Sequence, residues 1–243
     1  MVMARGVGVY GKWPTYGDFV SRNLGADFVR AWDEWLSQFI LASKAQLGSD
    51  WLAIYLTSPI WRFALSTGVI DDDTYAGLML PSVDRVGRYF PLTAVKTLPA
   101  GTNPVEGLLF QSDWFEQAEQ ALLAALAGEV EADELVRAVS RESKEQRGGY
   151  RATEEQGQPG AMVFDIPSVD RAHVEALLPA LASAGLGARS SGFSLWMTNG
   201  SDHVRPVMLS CSGLPPMSGV ASMLDGQWGQ RNWKSPFSRQ VDA

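Results

Sequence analysis

The clearest pattern along the chain is the helical periodicity of ADFVRAWDEWLSQFILASKAQL, residues 26–47. Phe28, Ala31, Trp32, Trp35, Phe39 and Ala42 recur three or four positions apart as one apolar stripe, with Asp27 as the expected N-cap. Upstream, residues 6–10 alternate glycine with valine and tyrosine and predict a short strand with little room on one face. Residues 12–18, punctuated by Pro14 and Gly17, predict a loop. Downstream, three strand-like runs are expected at residues 52–57, 61–67 and 75–80, separated by Pro59 and by the Asp71-Asp72-Asp73 run. The polar stretch PSVDRVGRYF then leads into a further strand at residues 91–97.

Residues 98–107 predict a Pro/Gly loop, followed by helices over 112–126 and 133–145. The polar, glycine-rich stretch QRGGYRATEEQGQPG (146–160) predicts a mobile loop. Beyond it come a strand at 161–165, a helix at 169–184, strands at 193–198 and 204–210, and a short helix or turn at 217–224. An irregular tail at 227–243 contains Trp228, Trp233 and Phe237; packing as a strap on the main body is its expected state, with an aromatic partner surface as the alternative. Strands alternating with helices, some joined by short turns, predict an α/β fold whose mixed central sheet is covered on both faces, as one domain over residues 1–243.

Charge and cysteine content narrow the function classes. A formal net charge of −7, with no basic cluster interleaved with aromatics, argues against a nucleic-acid binder. Nine tryptophans point to a large aromatic core or to interfaces. Cys211 is the only cysteine, so no intrachain disulfide forms and the chain suits a reducing compartment. With no signal-peptide pattern and no run of about 20 apolar residues, a cytoplasmic location is expected.

Gly6-Val7-Gly8-Val9-Tyr10-Gly11-Lys12 fits two nucleotide-binding spacings at once, G-x-G-x-x-G and G-x-x-x-x-G-K. The chemistry does not follow the spacing. Trp13 stands where a phosphate loop needs a metal-ligating hydroxyl, Pro14 opposes the helix that should begin there, and the alternating valines put a strand inside the supposed loop. Two histidines, His173 and His203, cannot build a multi-histidine metal site. Ser201-Asp202-His203 places triad residue types too close in sequence to converge. Gly192-Phe193-Ser194-Leu195-Trp196 approaches a nucleophile elbow, but Trp196 crowds the turn, and a buried strand with Ser194 facing a neighbour is expected. Asp71-Asp72-Asp73 reads as a solvated turn rather than a cation site, and Cys211 as a small core residue. No enzyme, cofactor or metal site is predicted.

Two longer stretches carry a resemblance. GVYGKWPTYGDFVSR (8–22) and PSVDRVGRYFPL (81–92) resemble the signatures of the TagF/ImpM family, accessory proteins of the bacterial type VI secretion system. SLWMTNG (194–200), GLPP (213–216) and LDG (224–226) fit the same family, so the resemblance runs from residue 8 to 226. Met197 departs from the second tryptophan common at that position, and the chain has no room for the phosphatase domain attached to some members. The resemblance implies a three-layer α/β/α sandwich. It also implies a non-enzymatic, post-translational repressor that engages the secretion system's forkhead-associated scaffold protein and opposes apparatus assembly.

Lys12, Asp18 and Arg22 come from the first signature, and Asp84, Arg85 and Arg88 from the second. Two readings stay open for these six residues. In one, ion pairs across neighbouring loops lock the two segments together. In the other, the same surface docks a partner, with Arg85 and Arg88 offered to a carboxylate or phosphate. The alternatives for the whole chain are a nucleotide- or phosphate-binding enzyme using Gly11-Lys12, and a structural subunit of the secretion apparatus.

Overall fold

The glycine–valine alternation at the start of the chain becomes β1 (Val7–Lys12), buried at every position. It is buried because β2 (Phe19–Arg22) pairs along one side of it and β5 (Leu92–Thr97) along the other. The computed structural model describes residues 6–140 and 171–235. Among these, seven strands form one sheet in the order β2-β1-β5-β4-β3-β6-β7, completed by β3 (Trp61–Leu65), β4 (Tyr75–Leu80), β6 (Phe193–Thr198) and β7 (Val207–Ser212).

Every neighbouring pair in this sheet is antiparallel, which corrects the expected mixed sheet. The helix–strand alternation misleads here because the intervening helices carry the chain across the sheet instead of returning it to a parallel neighbour. Helices α1 (Ala26–Leu47) and α2 (Trp51–Leu56) lie between edge strand β2 and interior strand β3. Helices α3 (Pro104–Leu109), α4 (Ser112–Leu126), α5 (Ala132–Val139) and α6 (Arg171–Gly187) fall between β5 and β6.

Side chains alternate across the strands and collect in two cores. One holds Val7, Val9, Ala64, Leu78, Ala94 and Leu195 with Trp114, Phe115 and Leu122 of α4 and Leu135 of α5. The other holds Tyr10, Phe63, Val95 and Trp196 with the α1 stripe and with Met223 and Leu224 of α7 (Ser222–Asp225). Its centre is aromatic. Trp196 lies parallel to Trp32 at 6.1 Å and within 5.3 Å of Trp35 and 5.0 Å of Phe63, contacts that contribute about 0.5–1.5 kcal/mol each beyond area burial. The indole N–H groups are satisfied within it: Trp32 donates to Thr93 Oγ1 at 3.0 Å and Trp196 to Ser194 Oγ at 2.8 Å.

Several local expectations change. Of the strand expected at 52–57, residues 52–56 are helical within α2 and Thr57 is its C-cap; Trp51 and Tyr55 are buried one turn apart and their rings stack at 4.9 Å, while Leu52 and Leu56 face out. The 98–107 loop contains the start of α3, where Asn103 caps by accepting Val105 N–H at 2.9 Å and Pro104 occupies the first turn. Gly25 rather than Asp27 is the N-cap of α1, and Asp27 sits in the first turn, paired with Arg30 at 2.9 Å. The expected 204–210 strand starts later, as β7. Trp228 and Trp233 pack on the main body: Trp228 meets Trp61 edge-on and Trp233 donates its N–H to the Gly219 carbonyl at 2.9 Å. The loop expected at 146–160, the strand at 161–165 and Phe237 lie outside the described residues, as does the end of the helix expected at 133–145.

Candidate functional site

The two signature segments meet at Asp84. Its side chain has no solvent exposure, and the half-exposed Arg88 guanidinium lies on its outer side. Asp84 Oδ1 accepts the backbone N–H of Val86 at 3.0 Å and of Arg88 at 2.9 Å, while Oδ2 takes Arg88 Nε at 2.7 Å. Lys12, the last residue of β1, places Nζ 3.0 Å from the same oxygen with 3 % of its side chain exposed. This contact is an ion pair rather than a directed hydrogen bond. The ammonium also lies 3.9 Å from the centre of the Phe19 ring, a cation–π contact that offsets part of its desolvation.

The backbone completes the lock. Arg88 donates its second guanidinium nitrogen to the Gly17 carbonyl, Arg85 N–H donates to the Tyr16 carbonyl at 3.0 Å, and Ser82 Oγ donates to the Lys12 carbonyl at 2.7 Å. Tyr55, on α2, holds Ser82 from behind by donating to its carbonyl and accepting its N–H, each at 3.0 Å. Burial alone would raise the Asp84 pKa, but the Arg88 N–H, the Lys12 ammonium, the Arg88 guanidinium and the Val86 N–H together outweigh it. They hold the carboxyl well below the usual carboxylate range.

Lys12, Asp84 and Arg88 therefore form one cluster, with Arg85 beside it on the Gly17 peptide: a Cβ on Gly17 would stand 3.3 Å from Arg85 Nη2. Residues Arg85–Arg88 form a tight turn with Gly87 at φ +84°. Asp18 stays outside the cluster, exposed, accepting its neighbour's Phe19 N–H at 2.8 Å. Arg22 turns away to Asp133 of α5 at 2.8 Å, alongside Tyr16, whose hydroxyl donates to Glu131. Ser82 is visible within the sequence signature, whereas Tyr55 carries no sequence signal because its segment reads as a strand.

The geometry bears on nucleotide chemistry. The Gly6–Lys12 spacing is the sheet strand itself, and at Gly11, φ +136°, a Cβ would collide with the Pro91 carbonyl. Lys12 is turned into Asp84, and Trp13 is fully buried in the core shared with α4 and α5. Ser194 is likewise buried in β6, its hydroxyl donating to the Gly213 carbonyl at 2.6 Å. Among the described residues, no group of three His, Cys, Asp or Glu side chains is placed to hold a metal. No helix among them is long and apolar enough to cross a membrane. The SLWMTNG stretch ends at a shallow cleft of about 150 Å³ beside the Arg62–Glu119 ion pair.

The sequence of this site has relatives. A family model described as the TagF N-terminal domain, type VI secretion system-associated, matches residues 8–141. The fold is similar to the crystal structure of PA0076 from Pseudomonas aeruginosa PAO1, with a TM-score of 0.78 and 34% sequence identity over 98% of this chain and 100% of that one. No curated protein matches. The family match takes in both signature segments, the Lys12–Asp84–Arg88 cluster where they join, and the α5 helix that Arg22 reaches, and on this ground the chain belongs to the TagF family of type VI secretion system-associated proteins.

Proposed function

We propose that this protein is a non-enzymatic, post-translational repressor of type VI secretion. It works in the cytoplasm by binding the system's forkhead-associated scaffold protein and opposing assembly of the apparatus. The observation that carries this reading is the mutual consumption of the charged signature residues. Lys12, Asp84 and most of Arg88 are paired with one another, so their charge fixes the joint between the two signature segments instead of serving a reaction centre. The chain acts as one domain, with the two helical groups as the outer layers of a three-layer sandwich.

Capture of the tagged full chain from cells under cross-linking tests the proposal; the forkhead-associated protein is the expected catch, and its absence overturns the reading. The alternative of a nucleotide- or phosphate-binding enzyme requires Lys12 to leave Asp84. Thermal shifts with ATP, GTP and NAD, each with Mg²⁺, are therefore expected to be flat, and stabilisation reversed by Lys12→Ala would favour the enzyme. Stoichiometric co-purification with the assembled particle would instead favour a structural subunit.

A further inference from the structure

The turn at residues 84–88 is fixed more firmly than a link between two strands requires. Asp84 accepts two of its N–H groups, Gly87 N–H returns to the Asp84 carbonyl at 3.0 Å, and Asp84 N–H donates to the Arg88 carbonyl at 3.0 Å. This frame holds two side chains outward. Val86 is 63% exposed, and the Arg85 guanidinium makes no ion pair with any described residue. Arg88 donates to the Gly17 carbonyl while Arg85 approaches the same residue, so the two guanidinium groups flank one peptide. On the other side of Lys12, Phe19 is 44% exposed yet pinned, stacked on Tyr10 and edge-on to Phe90.

The charge of these residues runs against that of the molecule. Lys12 and Arg88 share the one buried carboxylate of Asp84 and Arg85 adds a further cation, so with Asp18 counted these five residues carry one positive charge in excess on a chain of net charge −7. A planar guanidinium such as that of Arg85 matches a carboxylate in charge-assisted hydrogen bonds. A turn already rigid loses little entropy on binding, and a local positive field on an acidic surface orients an approaching acidic segment.

Resting on the reading that the chain works by binding a protein, we infer that the Arg85–Val86–Arg88 rim is the docking surface for an acidic segment of that partner. An aspartate or glutamate side chain takes the Arg85 guanidinium, with the half-exposed Arg88 beside it adding positive charge, and an apolar residue of the same segment covers Val86.

The test uses the full chain as wild type, Arg85→Glu, Val86→Asp and, as a remote exposed control, Arg205→Glu. Each is measured by anisotropy with a fluorescein-labelled acidic peptide carrying a central leucine, at low and high salt, and by cross-linked capture from cells. Equal melting temperatures establish that the substitutions leave the fold intact. Arg85→Glu and Val86→Asp are expected to weaken binding about tenfold or more and the control by less than about twofold, with wild-type affinity falling as salt rises. Wild-type affinity retained by Arg85→Glu, an equal loss in the control, or capture abolished by phosphatase treatment of the partner would overturn the inference. A scaffold protein captured equally by wild type, Arg85→Glu and Val86→Asp removes this surface while leaving the proposed function standing. If the wild type captures no scaffold, the function fails and the peptide measurement alone decides the surface.

Discussion

Asp84 joins a buried cation to a surface turn, and the two tasks predict different costs for removing its partners. Asp84→Ala leaves the Lys12 ammonium buried without a counter-charge and two turn N–H groups without their acceptor, so a loss of about 3 kcal/mol is expected in denaturant unfolding. Lys12→Met removes the charge that needed compensation, while Asp84 keeps Arg88 and both N–H groups; a loss of about 1 kcal/mol is expected. The sign of the pH dependence follows from the lowered carboxyl. An unfolded Asp84 binds its proton near its ordinary value of 3.8, whereas the folded one resists it. Its contribution is therefore complete above about pH 5, and is lost as pH falls through 3.8 toward the folded value. Acid titration of stability should show a shallower loss for Asp84→Asn than for wild type; an unchanged slope would mean that other carboxylates set the acid limit. Opposite charges in the two signatures make the Lys12–Asp84 pairing legible in the sequence. The fates of Asp18 and Arg22 are not, because which side of β2 meets α5 depends on a hairpin that the residues around Gly17 do not advertise.

Among the elements, the long periodic ones were readable and the short ones were not. The α1 helix runs for 22 residues and the strand at Tyr75–Leu80 is a continuous apolar run, so each has enough positions to define a pattern. The WLAIYL segment has six residues and fits strand or helix; the burial of Trp51 and Tyr55 against Tyr89 decides it. In β1, Gly11 adopts a conformation open to glycine and lies against the Pro91 carbonyl. Gly11→Ala should cost about 3 kcal/mol, combining backbone strain with a collision that the neighbouring strand cannot relieve; a melting temperature within a degree of wild type would refute this. In β7, burial pushes the Cys211 thiol up to about 12, with the Ser194 hydroxyl offsetting part of the shift. Native protein at pH 8 should therefore react very slowly with a thiol reagent, and denatured protein rapidly. Rapid native labelling would show that β7 opens locally.

At the scale of the molecule, the two cores share their strands. Phe63 and Leu65 enter one core and Ala64, between them, the other; Val9 and Tyr10 divide in the same way. Neither core can dissolve without breaking the strands that hold the other, so tryptophan fluorescence and far-ultraviolet circular dichroism should report one coincident unfolding transition. Separate transitions would show that the α4–α5 side unfolds alone.

By itself the sequence determined the amphipathic stripe of α1, the buried strands, the lone buried cysteine and the two charged signatures, because periodicity, composition and residue type are local properties of the chain. Only the tertiary structure decided that every strand pair is antiparallel, that Tyr55 reaches Ser82, that Arg22 leaves the cluster for Asp133, and that Arg85 and Arg88 converge on Gly17. Those contacts join residues far apart in the chain, Arg22 and Asp133 by 111 positions. They are selected by which faces bury the most apolar surface together, a choice that no local window of sequence contains.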